Sequence, residues 1–255
     1  MNTLGITHIS FDCYGTLIDW ETGILEQALP RLANAGAKNL DAETVLRAFV
    51  KHEAELEAGP FRPYRDVLSE TLARVGTDVG ARLDRASCSG FALGLVDWPP
   101  FPDTVDALAR LAAKYRLVIL SNVDDDLFAH TARRLGDPFC AVITAQQVRS
   151  YKPALAHFQA ARVRLGLSPS NWLHVAQSLY HDHAPAKSLG LRTVWVDRPT
   201  RLTGTGLAPA LPSTVEGPVP RTVEGPVPST VEGPWHATPD ARTTTLTQVA
   251  ELVGA

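Results

Sequence analysis

Long apolar runs are missing from this chain: no uninterrupted stretch approaches the roughly 18 to 20 residues that a bilayer-spanning helix needs. The opening Met1-Asn2-Thr3-Leu4 is not a basic segment ahead of a signal-type apolar core, so a cytoplasmic protein with no membrane partner is expected. A basic excess is missing too. With 24 Lys+Arg against 27 Asp+Glu the formal charge is −3, and no stretch forms the basic stripe that neutralises a phosphate backbone, so nucleic acid is not an expected partner. Cysteine is scarce. Cys13, Cys88 and Cys140 are odd in number and lack any Cys-x-x-Cys pairing, which excludes a disulfide framework or a structural zinc site as the organising principle.

What is present reads as alternating strands and helices. Ile6-Thr7-His8-Ile9-Ser10-Phe11 is short, β-branched and apolar, and it stops abruptly at Asp12-Cys13-Tyr14-Gly15-Thr16, as a buried strand running into a tight loop does. From Thr22 to Leu95 the period becomes helical, with breaks at Gly36, Gly59-Pro60 and Gly76. Beyond the proline-rich Trp98 to Pro102, helical and apolar segments alternate. A helix over Thr104 to Lys114 precedes the strand Leu117 to Leu120, and a helix from Asp126 to Leu135 precedes Ala141 to Ile143. Leu155 to Leu165 then leads into Trp172 to Val175, and Asp182 to Leu189 into Thr193 to Val196. This order predicts an α/β fold, a Rossmann-like, mostly parallel sheet flanked by helices, with an inserted α-helical cap. The 255 residues divide into a core over residues 1–20 and 96–255 and a cap over residues 21–95. Thr-Val-Glu-Gly-Pro recurs at Thr214, Thr222 and Thr230 within the Pro- and Gly-rich residues 198–239, where a flexible surface loop is expected. Helical spacing returns at Leu246, Val249 and Leu252.

In open parallel sheets reactive groups gather beyond the carboxyl ends of the strands. Four polar groups are predicted there: Asp12 after the first strand, Ser121-Asn122 after Leu120, Lys152 in Tyr151-Lys152-Pro153, and Asp182 shortly after Val175. The quartet Phe11-Asp12-Cys13-Tyr14-Gly15-Thr16-Leu17, Leu120-Ser121-Asn122, Tyr151-Lys152-Pro153 and Val175 to Asp182 resembles the four ordered motifs of the haloacid dehalogenase superfamily, over roughly Ile6 to Arg198. Two departures choose a branch. Phosphatases of the superfamily carry a second aspartate where this chain has Tyr14, and an acidic Mg²⁺ ligand where it has Ala176-Gln177. Mg²⁺ prefers anionic oxygen ligands, and a halide leaves without protonation or a metal. The Asp-x-Tyr-Gly-Thr pattern is similar to the metal-independent L-2-haloacid dehalogenases.

That resemblance implies a hydrolase without cofactor or metal, acting on a small 2-substituted carboxylic acid. Asp12 would attack carbon and form an ester that water cleaves. Lys152 would hold Asp12 ionised by lowering its pKa, Ser121 and Thr16 would donate hydrogen bonds, and Asp182 would orient Lys152 or the water. Tyr14, Asn122 and Gln177 would face the substrate, Asn122 helping to cradle halide. The family also implies a cap arginine for the substrate anion, for which Arg47, Arg62 and Arg65 are the candidates, and a homodimer. Ring opening of azetidine-2-carboxylate, an atypical phosphatase and a non-catalytic binding protein on the same scaffold are the alternatives. Asp124-Asp125-Asp126 is read as ordinary acidic company for a helix N-terminus, and Trp98, Trp172 and Trp195 as core aromatics.

Overall fold

In the computed structural model, which describes residues 3–38, 40–202 and 237–255, the short apolar runs are strands of one parallel sheet. The strands are β1 (His8–Phe11), β2 (Arg116–Ser121), β3 (Phe139–Thr144), β4 (Trp172–Ala176), β5 (Arg192–Val196) and β6 (Ala241–Thr243), ordered β3-β2-β1-β4-β5-β6. Their side chains alternate between two cores. Ile9, Phe11, Leu117, Ile119, Leu173 and Val175 face the larger one. Val118, Leu120, Ile143 and Trp172 face the smaller. Burial on both sides is why these strands read as nearly continuous apolar runs.

Helices cover both faces. α5 (Thr104–Ala112), α6 (Asp125–Arg134) and α10 (Leu246–Leu252) contribute Leu108, Leu127, Phe128 and Val249 to the larger core. α8 (Ala156–Leu165), which follows the single turn α7 (Ala145–Val148), and α9 (Ala184–Ser188) supply Phe158, Ala161 and Ala186 to the smaller.

Between β1 and β2 the chain forms α1 (Trp20–Asn34), α2 (Ala42–Glu57), α3 (Tyr64–Asp78) and α4 (Arg85–Leu93). Asp19, Asp41 and Asp84 start three of them by accepting backbone N–H groups of the first turn. This excursion leaves and returns through a narrow neck. Ile18 pairs with Pro100, the Asp19 amide donates to the Pro99 carbonyl at 2.8 Å, and the Phe101 amide donates to Leu17 at 3.1 Å. Asp124, at the start of α6, also holds the excursion. Its carboxylate accepts the amides of Tyr64 and Arg65, at the head of α3, at 2.8 and 3.0 Å.

Three local expectations change. Gly76 lies inside α3, where a Cβ would come within 2.9 Å of a Leu83 methyl, so it permits close approach instead of breaking the helix. The stretch after Asp182 opens as a π-turn over Leu179–His183 before α9 begins. β6 is a sixth strand that three residues, Ala-Arg-Thr, could not announce by pattern. The Thr-Val-Glu-Gly-Pro repeat lies outside the described residues.

Candidate active site

The strand order reverses direction at β1: the chain continues to β2 on one side and to β4 on the other. Phe11 is in register with Ile119 and with Val175, so Asp12 emerges at the crevice between them, where open α/β sheets bind their ligands. Ser121 ends β2 and Asn122 follows it, Gln177 follows β4, and the β3–β4 connection brings Lys152 across. All four predicted loops converge.

Lys152 is 2 % exposed and spends each of its three protons, on Asp12 Oδ1 at 2.8 Å, Asp182 Oδ1 at 2.6 Å and the Leu120 carbonyl at 2.9 Å. The Thr16 hydroxyl accepts the Gln177 amide at 2.9 Å, which directs its single proton to Asp12 Oδ2, also at 2.9 Å. Both carboxylate oxygens of Asp12 are therefore fixed. Asn122 locks the lysine loop, accepting the Lys152 amide at 2.8 Å and donating to the Lys152 carbonyl at 3.2 Å.

Behind Asp182 runs a polar chain buried in the sheet. The Trp172 indole N–H can only donate, and it reaches Ser10 Oγ at 2.7 Å. Ser10 then has one proton to give, to His174 Nδ1 at 2.7 Å, so the proton of His174 sits on Nε2 and is donated to Asp182 Oδ1 at 3.1 Å. Among the described residues Asp182 Oδ2 is buried without a partner, and so is the Ser121 hydroxyl. Both residues line a cavity of about 100 Å³ between the strand ends and the inserted helices.

One ammonium serves two carboxylates, and the two fare differently. Burial would raise Asp182, but Lys152 and the His174 contact overcome it and hold that carboxyl well below the usual range. Burial also raises Asp12; there Lys152 opposes the rise and Asp182 adds to it, so the net shift is upward. Lys152 lowers Asp12 as expected, but burial outweighs it. Burial disfavours the charge on Lys152, yet the paired carboxylates keep its pKa well above normal. Cys13 is buried and its thiol is pushed up by that burial, which leaves it a core residue.

The residues expected to face substrate divide. Tyr14 and Gln177 line the cavity, Tyr14 with its hydroxyl turned to Thr131 at 2.9 Å and its ring edge-on to Trp98. Asn122 lines it too, but its two amide protons go to Lys152 and to Glu57, each at 3.2 Å, leaving no donor for a halide. The three arginines considered for the substrate anion go elsewhere. Arg47 pairs with Glu43, Arg62 with Glu70, and Arg65 with Asp124 and Asp126. None lines the cavity. Asp124 stands at the N-terminus of α6, as expected, and in addition holds the head of α3. Among the described residues no group of three or more His, Cys, Asp or Glu is set to hold a metal ion.

Two acidic residues escaped the sequence reading. Glu53 and Glu57 sit one helical turn apart on α2 and line the same cavity. Tyr64 donates to Glu53 at 2.6 Å and Asn122 to Glu57. Burial pushes Glu53 up to about 7; burial and the neighbouring Glu53 carry Glu57 well above its ordinary value. Charged residues on a helix usually mark a solvated face, so no local signal distinguished these two.

An aspartate, a lysine and a second aspartate meet at the switch point of a parallel sheet, under helices inserted after β1, in an α/β protein. The chain belongs to the haloacid dehalogenase-like hydrolases, whose family model matches residues 6–190. It is 30% identical over 203 residues to an (S)-2-haloacid dehalogenase of Pseudomonas sp. (strain YL), covering 76% of this chain and 83% of that one. It is 27% identical over 222 residues to the (S)-2-haloacid dehalogenase of Xanthobacter autotrophicus, covering 84% and 83%. The fold is shared with the structure of the L-2-haloacid dehalogenase from Xanthobacter autotrophicus with chloropropionic acid covalently bound. The two agree with a TM-score of 0.74 at 23% identity, over 98% of this chain and 99% of that one. No helix among the described residues is long and apolar enough to cross a membrane.

Proposed function

We propose that this hydrolase works as the 2-haloacid dehalogenases do, displacing a leaving group such as halide from a saturated carbon of a small molecule, with residues 21–95 acting as a cap over a core of residues 1–20 and 96–255. An Asp12 oxygen forms the new C–O bond while the carbon–halogen bond breaks and the halide keeps the electron pair. The product is an ester on Asp12. Water then attacks the Asp12 carboxyl carbon, releasing the alcohol and restoring the carboxylate. Thr16 and Lys152 aim the nucleophile, and the ammonium offsets charge at the carboxyl group as the ester is cleaved. The unpartnered Asp182 Oδ2 is an acceptor for that water.

The observation that carries the reading is the fixed, cavity-facing Asp12 bonded to a fully committed lysine. Tyr14, directed to Thr131, supplies no acid for an alkoxide leaving group, which favours halide displacement over phosphate ester hydrolysis. The test is turnover of a panel of small bromoalkanes of negative, zero and positive charge in ¹⁸O-water, followed by mass spectrometry of the Asp12 peptide. Label in the Asp12 carboxylate is expected with a substrate that releases bromide. Bromide release without label at Asp12 would refute the covalent route.

A further inference from the structure

We propose that the indole N–H of Trp98 is the donor that receives the departing halide, an uncharged halide holder on the cavity wall that faces the strand ends. That the anion is a leaving group rests on the Asp12 reading; that the wall takes an anion stands on Trp98 and its surroundings alone.

Three residues that line the cavity carry a buried polar atom with no partner among the described residues: Asp182 through Oδ2, Ser121 through its hydroxyl and Trp98 through Nε1. Of these, the indole N–H can only donate. Ser121 and Asp182 belong to the strand-end side with Asp12, whereas Trp98 lies beyond the neck, one residue before Pro99, and packs on the inserted helices. Its ring is pinned. Phe91 of α4 lies 6.4 Å away between ring centres, Tyr14 meets it edge-on at 5.8 Å, and it fills the space beside Gly23 of α1, where a Cβ would collide with it. Trp98 is 2 % exposed, so its N–H has lost water and gained no acceptor in return. A phenylalanine would fill most of this space without that cost, so the unpaired donor points to a ligand that accepts.

In-line displacement decides which part of a substrate this donor meets. An Asp12 oxygen attacks from the strand ends, so the leaving group departs from the far side of the carbon, toward the inserted helices. It takes the electron pair of the broken bond and becomes a monatomic anion that can only accept. Other donors near it are spent. Lys152 gives its protons to Asp12, Asp182 and Leu120, Asn122 gives its two to Glu57 and Lys152, and the Tyr64 hydroxyl gives its one to Glu53. No arginine lines the cavity among the described residues. Glu53 and Glu57 share the wall, but burial raises the proton affinity of both, Glu53 to about 7, and so favours their neutral forms. Ile24, Phe49 and Val50 make the rest of that wall apolar, which strengthens a single N–H donor. A neutral donor also binds an anion less tightly than a cation does, so the halide is held as it forms and released afterwards.

The anion site is tested first without turnover. Indole ¹H–¹⁵N spectra of the full chain are followed through a sodium bromide titration at about pH 6, below the Glu53 value, with sodium sulfate keeping the ionic strength constant. The Trp98 resonance is the one missing from a Trp98→Phe variant. It is expected to shift saturably, and further than the other indoles. A Trp98 resonance that stays in place, or drifts linearly with the rest, overturns the proposal. The second measurement is single-turnover halide release from the chloro, bromo and iodo forms of one substrate, by the natural chain and by Trp98→Phe. Phenylalanine keeps a ring beside Gly23 and Tyr14, and a melting curve checks the fold. Chloride is the strongest acceptor and the poorest leaving group of the three, so it draws most on the donor. The variant should release chloride slower by about tenfold or more, bromide by less and iodide by least. An equal loss for all three, or no loss, marks a packing residue and overturns the proposal. With ¹⁸O label at Asp12, an equal loss rejects the halide site and leaves the covalent route standing. A saturable Trp98 shift without label at Asp12 from any bromide does the reverse, keeping the anion site and rejecting the covalent route.

Discussion

Replacing Asp12 by Asn should abolish turnover and leave the fold almost as stable as before. In the natural chain Lys152 faces two carboxylates, so the trio carries one net negative charge in a buried place. The Asp12→Asn variant would keep the neutral Lys152–Asp182 pair at 2.6 Å, and the new amide carbonyl would still accept from Lys152. The loss is the Thr16 hydrogen bond, because Thr16 would face an N–H donor, at roughly 1 kcal/mol. The gain is removal of a carboxylate whose proton affinity burial raises, each tenfold rise in that affinity being worth about 1.4 kcal/mol. These oppose each other, so the net change should stay within about 1 kcal/mol, or roughly 2–4 °C in Tm. The sign also depends on pH. Because the Asp12 pKa is raised in the folded state, its ionisation costs stability as pH rises from the unfolded value of about 3.9 through the folded one, so the variant should gain on the natural chain toward alkaline pH. Activity, which needs the ionised form, should rise with pH over that same window in the natural chain and fall by on the order of 10⁴ or more in the variant. Paired melting curves and halide-release assays between pH 4 and 8 read both. A variant within tenfold of natural turnover, or one whose Tm drops by more than about 8 °C, would refute this account of the trio.

Lys152→Met should cost about 3–5 kcal/mol at neutral pH, since two buried carboxylates lose their shared ammonium, and chemical denaturation should find the deficit shrinking as acid neutralises Asp12. Asp124→Ala should cost about 1–3 kcal/mol by orphaning the Tyr64 and Arg65 amides. Limited proteolysis should then cut near the head of α3 more quickly. His157 and His183 are held down by burial to about 3 and about 4, so the unfolded chain takes up their protons first. Stability should be lost as pH falls from about 6.5 toward 4, by up to about 1.4 kcal/mol per pH unit for each histidine. Urea titrations of His157→Gln should show a shallower acid slope.

The candidate site loops were legible because burial on both faces turns β1, β2 and β4 into apolar runs, and each run ends at a polar residue that has reached the strand's open end. Asp12 and Ser121-Asn122 therefore stood out, and Lys152 through its Tyr-Lys-Pro motif. Order along the chain could not tell how their bonds divide. That Asn122 spends its whole amide on Lys152 and Glu57, or that one lysine serves two aspartates, depends on distances between loops some 30 to 140 residues apart in sequence. Ser10 and His174 look like defects in apolar strands until Trp172 and Asp182 supply partners at both ends. Glu53 and Glu57 were hidden for the opposite reason. On a helix as polar as α2, which face turns inward is set by packing such as that of Phe49 against Phe91, which lies far along the chain. The same packing sends Arg47 outward.

The neck at Ile18 and Pro100 bears on how such an enzyme can change. Both ends of the helical excursion are clasped side by side, so the backbone crossing is short, and what is strung beyond it meets the sheet domain through side chains such as Asp124 and Asn122. The groups bonded to or around Asp12, namely Thr16, Lys152 and Asp182, lie on the sheet side of that clasp, while Glu53 and Glu57, which line the cavity from α2, lie on the other. Lineages that exchange, lengthen or rewrite the segment between the two ends can thus try new diets while inheriting the same reactive chemistry, and grafting a foreign excursion at this neck is the natural laboratory version of that history.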